Sequence, residues 1–504
     1  MTGYDCPEMK QLFLNIIVTV AMTVVGCADV LTYHNDNSRT GVNPFDTALT
    51  VKNVNPLTFG KKFDLPVDGQ VYAQPLVVTN IAIGGVLHSV LVVATEHDSV
   101  YAFDAFSGAL LWHTSILPAG EVPADNINCA QITPENGITS TPVIDRAAHQ
   151  VFVLGMSRTL TGKHIERLHS LDLSTGRNLL SVVISAQFPG TFPAPDVVGG
   201  KVQWKAFQQR QRPPLLLLNG IIYTAYGSFC DQGFYAGWVI AYNEKNFDQV
   251  GVFNTNPTSA GKAPGAFVSN GSGGSVWGSG ALASDTTHVF ATTGNGPFDG
   301  RTTFGDSVIK LSSNCTLSDF FVPPEQITDQ QRDLDLGSGG VILISQNRLN
   351  LGVVAGKTGI IYIFDTSNLK VRPIYQTVIP TDFGAIFGVP AYYKGALYYG
   401  PVGEPMIKLA FSHGKLAATP DAVSINSFPY PGTIPSIANG VIFAIEHASG
   451  STVLHAYDAT NLHELYNSNQ NSTMEAGTKF AVPTIFNKMV YVGTDHHVSG
   501  FGLR

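Results

Sequence analysis

Hydrophobic and polar residues alternate along this chain in short runs bounded by turn residues, which is the pattern of β-strands. One unit is especially clear, and its four runs cover residues 71–78, 90–95, 99–104 and 108–112. Each run is rich in β-branched or aromatic residues, which suit a pleated and half-buried surface. Four such strands in succession predict one antiparallel β-sheet.

The same unit recurs at spacings of roughly 40 to 70 residues, which is the range for the blades of a β-propeller. The innermost strands of the other units are predicted at residues 137–144, 213–218, 278–283, 340–344, 387–392, 433–437 and 480–485. The third strands are predicted at residues 168–172, 239–243, 308–312, 361–365 and 454–458. The sequence therefore predicts an all-β fold, a single β-propeller of eight four-stranded antiparallel blades, with seven blades as the alternative count.

The last repeat stops at Leu503, one strand short of a complete unit. The unassigned run at residues 59–65 can supply the missing strand, and this would remove an open sheet edge. No low-complexity linker and no helical period interrupts the array. We therefore expect one propeller domain over residues 29–504, closed by an N-terminal strand that joins the C-terminal blade.

The first 28 residues have the pattern of an export signal. Lys10 precedes an apolar run over residues 12–25, which is short for a membrane span and long enough for the core of a signal peptide. Val24-Val25-Gly26-Cys27 resembles a bacterial lipobox, in which Cys27 would carry a lipid, while Gly26-Cys27-Ala28 would equally suit an ordinary signal peptidase. We predict an exported protein, either periplasmic, secreted or a cell-envelope lipoprotein, whose membrane contact would be only a lipid on Cys27.

Charge and cysteine content narrow the possible functions. Charged residues make up 13% of the chain, about half the share expected of a helical protein. The net charge of −8 argues against nucleic acid as a partner, because nothing here would neutralise phosphates. Once Cys6 and Cys27 are set aside, Cys129, Cys230 and Cys315 can form one disulfide and leave one thiol. No CxxC zinc pair and no CxxCH haem motif occurs.

Chemically active side chains gather in the predicted turns between second and third strands. These turns hold Glu96-His97-Asp98, Cys230-Asp231, Asn295, Lys357, Glu446-His447 and Asp495-His496-His497. In a propeller all of these turns lie at one face, beside the entrances of the innermost strands. Because loops on a rigid scaffold carry function, we expect a funnel-shaped site at that face.

The stretch from Val100 to Trp112 resembles the repeat of the pyrroloquinoline quinone (PQQ) proteins: a strand, an Asp, a turn and a strand that ends in Trp. Scaffolds of bacterial outer-membrane assembly share this repeat. Further stretches resemble the PQQ alcohol and sugar dehydrogenases more closely, namely residues 273–280 with Trp277, 290–296 with Asn295, 333–336 with Asp333 and Asp335, and 356–365 with Lys357. A weaker match covers residues 228–238 with Asp231.

The resemblance implies a role for each of these residues. Trp277 would lie flat under the quinone, since a planar cofactor needs a rigid aromatic floor. Lys357 would bond the quinone carbonyls, and Asn295 would contact both the cofactor and a calcium ion.

The aspartates would share catalysis and metal binding. Asp333 would be the catalytic base, with Asp335 as the reserve, and a nearby cation is expected to keep the pKa of this base low. Asp231 and Asp333 would join Asn295 as calcium ligands, with Asp231 replacing the Glu that the family uses.

The resemblance thus implies a PQQ- and calcium-dependent dehydrogenase of a small-molecule alcohol or sugar, which passes electrons to an external acceptor. One alternative is a cofactor-free propeller that binds or processes carbohydrate through the residues Tyr72, His97, Asp98, His447, Asp495 and His496. The other is a cell-envelope scaffold lipoprotein, which would have an exposed apolar groove and no convergent polar pocket.

Overall fold

The computed structural model describes residues 29–263, 265–369, 375–378, 384–448 and 450–504. Strands account for 46% and helices for 4%, so the predicted all-β class is confirmed. The predicted signal segment, with Cys27, lies outside the described residues. Within the described ranges, no helix has the length and apolar character needed to cross a bilayer.

Eight antiparallel sheets of four or five strands follow one another in the described ranges, and we number them 1 to 8 in chain order. The strands of sheets 1 to 4 are, in sheet 1, Leu76–Ile83, Val86–Ala94, Ser99–Asp104 and Leu110–Ser115; in sheet 2, Val143–Asp145, Gln150–Thr159, His164–Asp172, Asn178–Val183 and Glu121–Pro123; in sheet 3, Leu216–Leu218, Ile221–Ser228, Trp238–Asn243, Gln249–Asn254 and Gln209–Arg210; and in sheet 4, Leu282–Ser284, Val289–Thr292, Val308–Leu311 and Leu317–Phe321.

The second half of the chain repeats this arrangement. The strands of sheets 5 to 8 are, in sheet 5, Val341–Gln346, Leu349–Ala355, Ile360–Asp365 and Tyr375–Val378; in sheet 6, Ala391–Tyr393, Ala396–Tyr399, Pro405–Ser412, Ala422–Ser427 and Lys415–Leu416; in sheet 7, Ser436–Ala438, Val441–Ala448, Ser451–Asp458 and Glu464–Asn467; and in sheet 8, Thr484–Phe486, Met489–Gly493, His497–Leu503 and Phe59–Pro66. We call the first strand named for each sheet its inner strand.

Sheet 8 combines the two ends of the described chain. Phe59–Pro66 pairs antiparallel with His497–Leu503 and so covers the outer edge of the C-terminal strand. Outside the eight sheets lie a small three-stranded sheet, one α-helix and four 3₁₀ turns in the described residues; they are Gln187–Pro189, Val197–Val198 and Lys201–Gln203, then Gln326–Arg332, and Ala194–Asp196, Ala206–Gln208, Leu336–Ser338 and Ser468–Gln470.

Several inner strands are shorter than the sequence predicted. Of the runs 213–218 and 480–485, only Leu216–Leu218 and Thr484–Phe486 join the ladders. Pro213 lacks the N–H that a ladder needs, and the residues before each inner strand leave the sheet. Residues of these departing segments, among them Arg212 and Phe480, line cavities.

The hydrophobic core lies between neighbouring sheets, as expected when sheets pack face to face. Eight of the nine buried clusters in the described residues join two consecutive sheets; for example, Val92 of sheet 1 packs in one cluster with Val153 of sheet 2. A further cluster contains Leu65 and Tyr491 of sheet 8 together with Val77 of sheet 1. The last sheet therefore packs against the first.

Residues 30–43, which we call the N-terminal strap, run along the inner strands of all eight sheets. Hydrogen bonds link the strap's backbone, or its Asn side chains, to one residue in each inner strand. In order from sheet 1 to sheet 8 these residues are Val77, Ile144, Leu217, Ser284, Leu343, Tyr392, Ile437 and Ile485. The strap thus bonds to inner strand edges that would otherwise lack a partner. Arg39 is fully buried within it.

Candidate active site

A cavity of about 380 Å³ brings together residues that are far apart in the sequence. Its lining includes all six predicted site residues: Asp231, Trp277, Asn295, Asp333, Asp335 and Lys357. Asp231, Asn295 and Lys357 follow the second strands of sheets 3, 4 and 5, and the other three lie just before the inner strands of sheets 4 and 5. The roles assigned to them above remain predictions.

The Lys357 ammonium group lies between two carboxylates. Its Nζ is 2.5 Å from Oδ2 of Asp335 and 3.0 Å from Oδ1 of Asp333. Burial alone would lower the pKa of Lys357, but the charges of Asp335 and Asp333 and their hydrogen bonds outweigh burial and raise it. Lys357 therefore carries a fixed positive charge at neutral pH.

Asn295 ties the two aspartates to the turn after the second strand of sheet 4. Its Nδ2 donates to Oδ1 of Asp333 at 2.7 Å, and its backbone N–H donates to Oδ1 of Asp335 at 2.6 Å. The remaining amide oxygen, Oδ1, is buried and has no hydrogen-bond partner in the described part of the chain. A buried acceptor without a donor is costly unless a cation or a ligand completes it.

Gly294 makes the close packing of this turn possible. A Cβ atom at this position would overlap Oδ1 of Asp335 and would lie 2.7 Å from Nε1 of Trp277. Glycine is therefore required for the approach of the turn to both side chains.

The ionisation of Asp333 differs from the sequence expectation of a low pKa. Asp333 follows the helix Gln326–Arg332 in the left-handed conformation, with φ of 60°, and its side chain is 40% exposed. Burial and the charge of Asp335 raise its pKa above the usual value, although Lys357 acts in the opposite direction. The expectation considered only the cation and left out the second carboxylate, which the fold places beside it.

Trp277 presents its indole ring to the cavity between aromatic and cationic neighbours. The ring centroid of Phe387 lies 6.1 Å away, with the two planes tilted by 59°. The Lys357 Nζ and the Arg212 Cζ lie 5.9 Å and 5.7 Å from the indole, distances at which cations are attracted to an aromatic face.

Asp231 is placed by a cross-linked turn. Cys230 forms a disulfide with Cys129, while Cys315 is a free and buried thiol, so the predicted count of one disulfide and one thiol is confirmed. The hydroxyl of Ser228 donates to Oδ1 of Asp231 at 2.6 Å. Burial and the neighbouring Asp231 raise the pKa of Tyr235 well above its ordinary value, so this phenol stays protonated.

Sequence reasoning missed several cavity residues, namely Arg210, Arg212, Tyr235, Phe387 and Tyr430. Most of them belong to segments that precede an inner strand, and Arg212 stands directly before Pro213. Attention to the residues before each predicted innermost strand, in addition to the turns, would have found them.

The residues of the carbohydrate alternative do not gather in this cavity. His97 pairs with Glu135 at 2.8 Å, and Asp495 accepts a hydrogen bond from Gln70 at 3.1 Å. Asp98 is buried, and burial lowers the pKa of His447 to about 4. Tyr72 lines a smaller adjoining cavity together with Arg212 and Tyr33.

The residues present fit the two groups that the resemblance implies. The unpartnered Oδ1 of Asn295 beside the Asp333 carboxylate is the oxygen chemistry that Ca²⁺ prefers. The half-buried indole of Trp277 offers a flat surface in a cavity whose volume is typical of small-molecule sites. Across the described residues, however, no three His, Cys, Asp or Glu side chains stand together as a metal-binding group. An ion here would need further oxygen ligands from water or from a bound molecule.

Comparisons with known proteins agree on the fold. No protein-family model and no curated protein matches the chain. The quinohemoprotein alcohol dehydrogenase from Comamonas testosteroni matches with a TM-score of 0.65 and 14% identity, over 94% of this chain and 80% of that one. The europium-containing methanol dehydrogenase matches with a TM-score of 0.65 and 12% identity, over 94% and 98%.

The same fold is found in a structure that is not named as a dehydrogenase. BamB from Moraxella catarrhalis matches with a TM-score of 0.52 and 12% identity, over 88% of this chain and 99% of that one. Identities this low establish the fold alone, and these structural neighbours are β-propellers.

Proposed function

We propose that this protein is an exported quinone-dependent dehydrogenase that oxidises a small alcohol or sugar in the cavity lined by Trp277. The observation that carries the proposal is the meeting of Trp277, Lys357, Asp333 and Asn295 in one cavity. This cavity belongs to a fold that alcohol and methanol dehydrogenases share. The export signal at residues 1–28 and the possible lipid on Cys27 are part of the same proposal.

We further infer that the eight sheets are the blades of one closed propeller. Two contacts support this count: the buried cluster between sheets 8 and 1, and the bonds of the N-terminal strap to every inner strand. One short segment can reach eight strands only if those strands surround a common axis. The turns that carry Asp231, Asn295 and Lys357 would then share one face.

The chain supplies a base and a positive charge for such a reaction. Asp333 takes the proton of the substrate hydroxyl, and its raised pKa makes it a stronger acceptor than an ordinary surface aspartate. Lys357 stabilises negative charge that develops above the indole of Trp277. A bound quinone would supply the hydride acceptor, and an external acceptor would then reoxidise it. Asn295 and Asp333, with Asp231, would hold the calcium ion.

The alternatives are supported less well. A scaffold needs no convergent polar pocket, whereas this cavity gathers three aspartates, a lysine and two arginines. The cell-envelope scaffold stays the second candidate, since the fold is shared with BamB as well as with the dehydrogenases. A cofactor-free carbohydrate site would have to use the same cavity, because the residues first considered for it lie elsewhere.

The decisive experiment is PQQ binding by the purified protein with and without Ca²⁺, followed by thermal melting. A ligand at ~100 times its dissociation constant stabilises the fold by roughly 2.7 kcal/mol. We expect calcium-dependent stabilisation that is lost in Asn295→Ala and in Asp333→Ala. Dye-linked oxidation of alcohols and sugars then tests turnover.

A matched control separates the site from general effects of charge removal. Asp248→Ala removes an exposed aspartate from the turn between the third and fourth strands of sheet 3. This turn and the turn of Asp231 lie at opposite ends of the strands. Its melting temperature should rise with PQQ as in the unmodified protein. If PQQ leaves the melting temperature of the unmodified protein unchanged with calcium present, the dehydrogenase proposal is wrong.

A further inference from the structure

Arg212 is a half-buried cation in the cavity wall without an acidic partner. The described residues provide neither a hydrogen bond nor an ion pair for its guanidinium group, and its Nε is buried and unpartnered. Two aromatic rings hold the group in place instead, with Cζ lying 5.7 Å from the indole of Trp277 and 5.2 Å from the ring of Phe480. This cation thus faces the cavity with no opposite charge beside it, and because it is partly desolvated it attracts an anion more strongly than a surface arginine does.

Two further cations share the cavity linings with Arg212. We call the three residues Arg210, Arg212 and Lys479 the cationic wall. Arg210 lines the main cavity beside Arg212, while Lys479 and Arg212 both line the smaller adjoining one. Burial and the charge of Arg212 lower the pKa of Arg210 to about 9. Burial and the charges of both arginines also lower the pKa of Lys479. Like charges have therefore been brought close together.

Glu96, the carboxyl group whose charge acts on both arginines, does not neutralise the cationic wall. Glu96 accepts hydrogen bonds from the backbone of Gly137 at 2.8 Å and from Thr139 at 3.0 Å, and it bonds neither arginine. Burial raises the pKa of Glu96 to about 7, so at neutral pH it is only partly charged.

Another part of the lining of the 380 Å³ cavity carries carboxylates. Asp231, Asp333 and Asp335 line it together with Lys357, and carboxylates of this kind accept hydrogen bonds from hydroxyl groups. A ligand that suits both parts carries an acidic group at one end and hydroxyl groups at the other.

We propose that the cavity binds a small organic anion, with the ligand's carboxylate at the guanidinium group of Arg212 and its hydroxyl groups towards Asp333. The substrate class would accordingly be hydroxy acids and sugar acids rather than neutral alcohols. The identity of the reacting hydroxyl rests on the proposed function, whereas binding of the carboxylate does not.

The test is calorimetric titration of the purified protein, without quinone, with D-glucuronate, D-gluconate and L-lactate, and with D-glucose as the neutral counterpart of glucuronate. We expect at least one of the acids to bind, and glucuronate to bind at least about 10-fold more tightly than glucose, since charge-assisted hydrogen bonds are the stronger ones. Because the carboxylate meets a cation, added salt should weaken the affinity.

Variants locate the interaction. Arg212→Gln should weaken binding of the acid by about 10- to 100-fold, which is the range expected for loss of a charged hydrogen-bonding partner. Arg332→Gln removes the same charge from the exposed end of the helix before Asp333, and it should leave the affinity unchanged. If Arg212→Gln does not fold, Lys479→Gln, at a half-buried position, should show a smaller loss of the same kind.

The outcomes are distinct. No binding of any of the three acids, equal binding of glucuronate and glucose, or unchanged affinity in a folded Arg212→Gln protein each overturns the proposal. PQQ itself carries carboxylates, so the titration is repeated with PQQ present; if PQQ displaces the acid, the anion site belongs to the cofactor, and the substrate assignment is wrong. Acid binding without PQQ binding keeps this inference and removes the dehydrogenase proposal, and PQQ binding without a preference for acids does the reverse.

Discussion

Replacement of Arg39 by methionine tests whether the N-terminal strap holds the sheets together. Arg39 lies within the strap and is fully buried, yet its pKa is lowered by burial only to about 10, so it stays charged at neutral pH. Its Nε donates to the carbonyl oxygen of Leu282 in the inner strand of sheet 4 at 2.7 Å. Its Nη2 reaches the carbonyl oxygen of Leu215, next to sheet 3, at 3.5 Å.

The size of the effect follows from these bonds. Within the strap, Nη1 also donates to the Tyr33 carbonyl oxygen at 2.8 Å and to the Thr32 hydroxyl at 2.9 Å. Each bond from a charged donor is worth roughly 1.5–3 kcal/mol, and breaking a buried charged network by removing one partner costs about 3–5 kcal/mol. Methionine fills much of the volume and removes a buried charge, which offsets part of the loss. We expect Arg39→Met to lower the free energy of unfolding by about 3 kcal/mol.

The assay is urea unfolding followed by tryptophan fluorescence, with Arg332→Met as the exposed control. The control should lie within about 0.5 kcal/mol of the unmodified protein. If unfolding is irreversible, the unfolding rates at one fixed urea concentration give the same comparison. An Arg39→Met protein that unfolds at the same urea concentration as the control would refute the strap's role in joining the sheets.

Three further predictions concern the interior and the cavity. Burial raises the pKa of Glu96 from 4.5 to about 7, so its contribution to stability is fully present below pH 4.5 and is lost as the pH rises through 7. The loss amounts to roughly 3 kcal/mol, and Glu96→Gln should remove this part of the fall in the free energy of unfolding over the same pH range. An unchanged slope in the variant would contradict the assignment. Cys230→Ser removes a disulfide that spans 101 residues and should lower the free energy of unfolding by about 4 kcal/mol, measured by thermal or urea unfolding. Cys315→Ser keeps the disulfide, so reductant should still destabilise this variant. Gly294→Ala forces a methyl group onto Asp335, so it should abolish the stabilisation by PQQ while the far-ultraviolet circular dichroism stays unchanged; retained stabilisation would mean that this turn is not part of the site.

Much of the fold could be predicted because strands are encoded locally. The alternation of hydrophobic and polar residues, together with the turn residues, locates the third strands well. The predicted run 361–365 lies within Ile360–Asp365, and the run 454–458 lies within Ser451–Asp458. The inner strands were placed less well, since Val143–Asp145 pairs over only three residues at the end of the predicted run 137–144. The number of paired residues in an inner strand depends on the neighbouring sheets and on the strap, and the local pattern of hydrophobic and polar residues does not contain this information.

Some residues of the candidate site could be identified from the sequence, and others could not. Asn295, Lys357 and Asp333 could be named as candidates from the sequence because the stretches that contain them resemble those of the PQQ dehydrogenases. Arg212 could not, since an arginine before a proline has no distinctive signal, and its position between Trp277 and Phe480 exists only after the sheets assemble. The raised pKa of Asp333 was missed for the same reason.

The all-β class, the recurring four-strand unit and the turns that carry the polar residues can be read from the amino-acid order alone, because they follow from the local alternation of hydrophobic and polar residues and from the conformational preferences of turn residues. Which of those turns meet, the position of Lys357 between two aspartates, and the gathering of three cations in the lining of the cavities depend on the assembled sheets. Charges and burial act over distances between side chains, and these distances are set by the packing of sheets whose strands lie hundreds of residues apart in the chain.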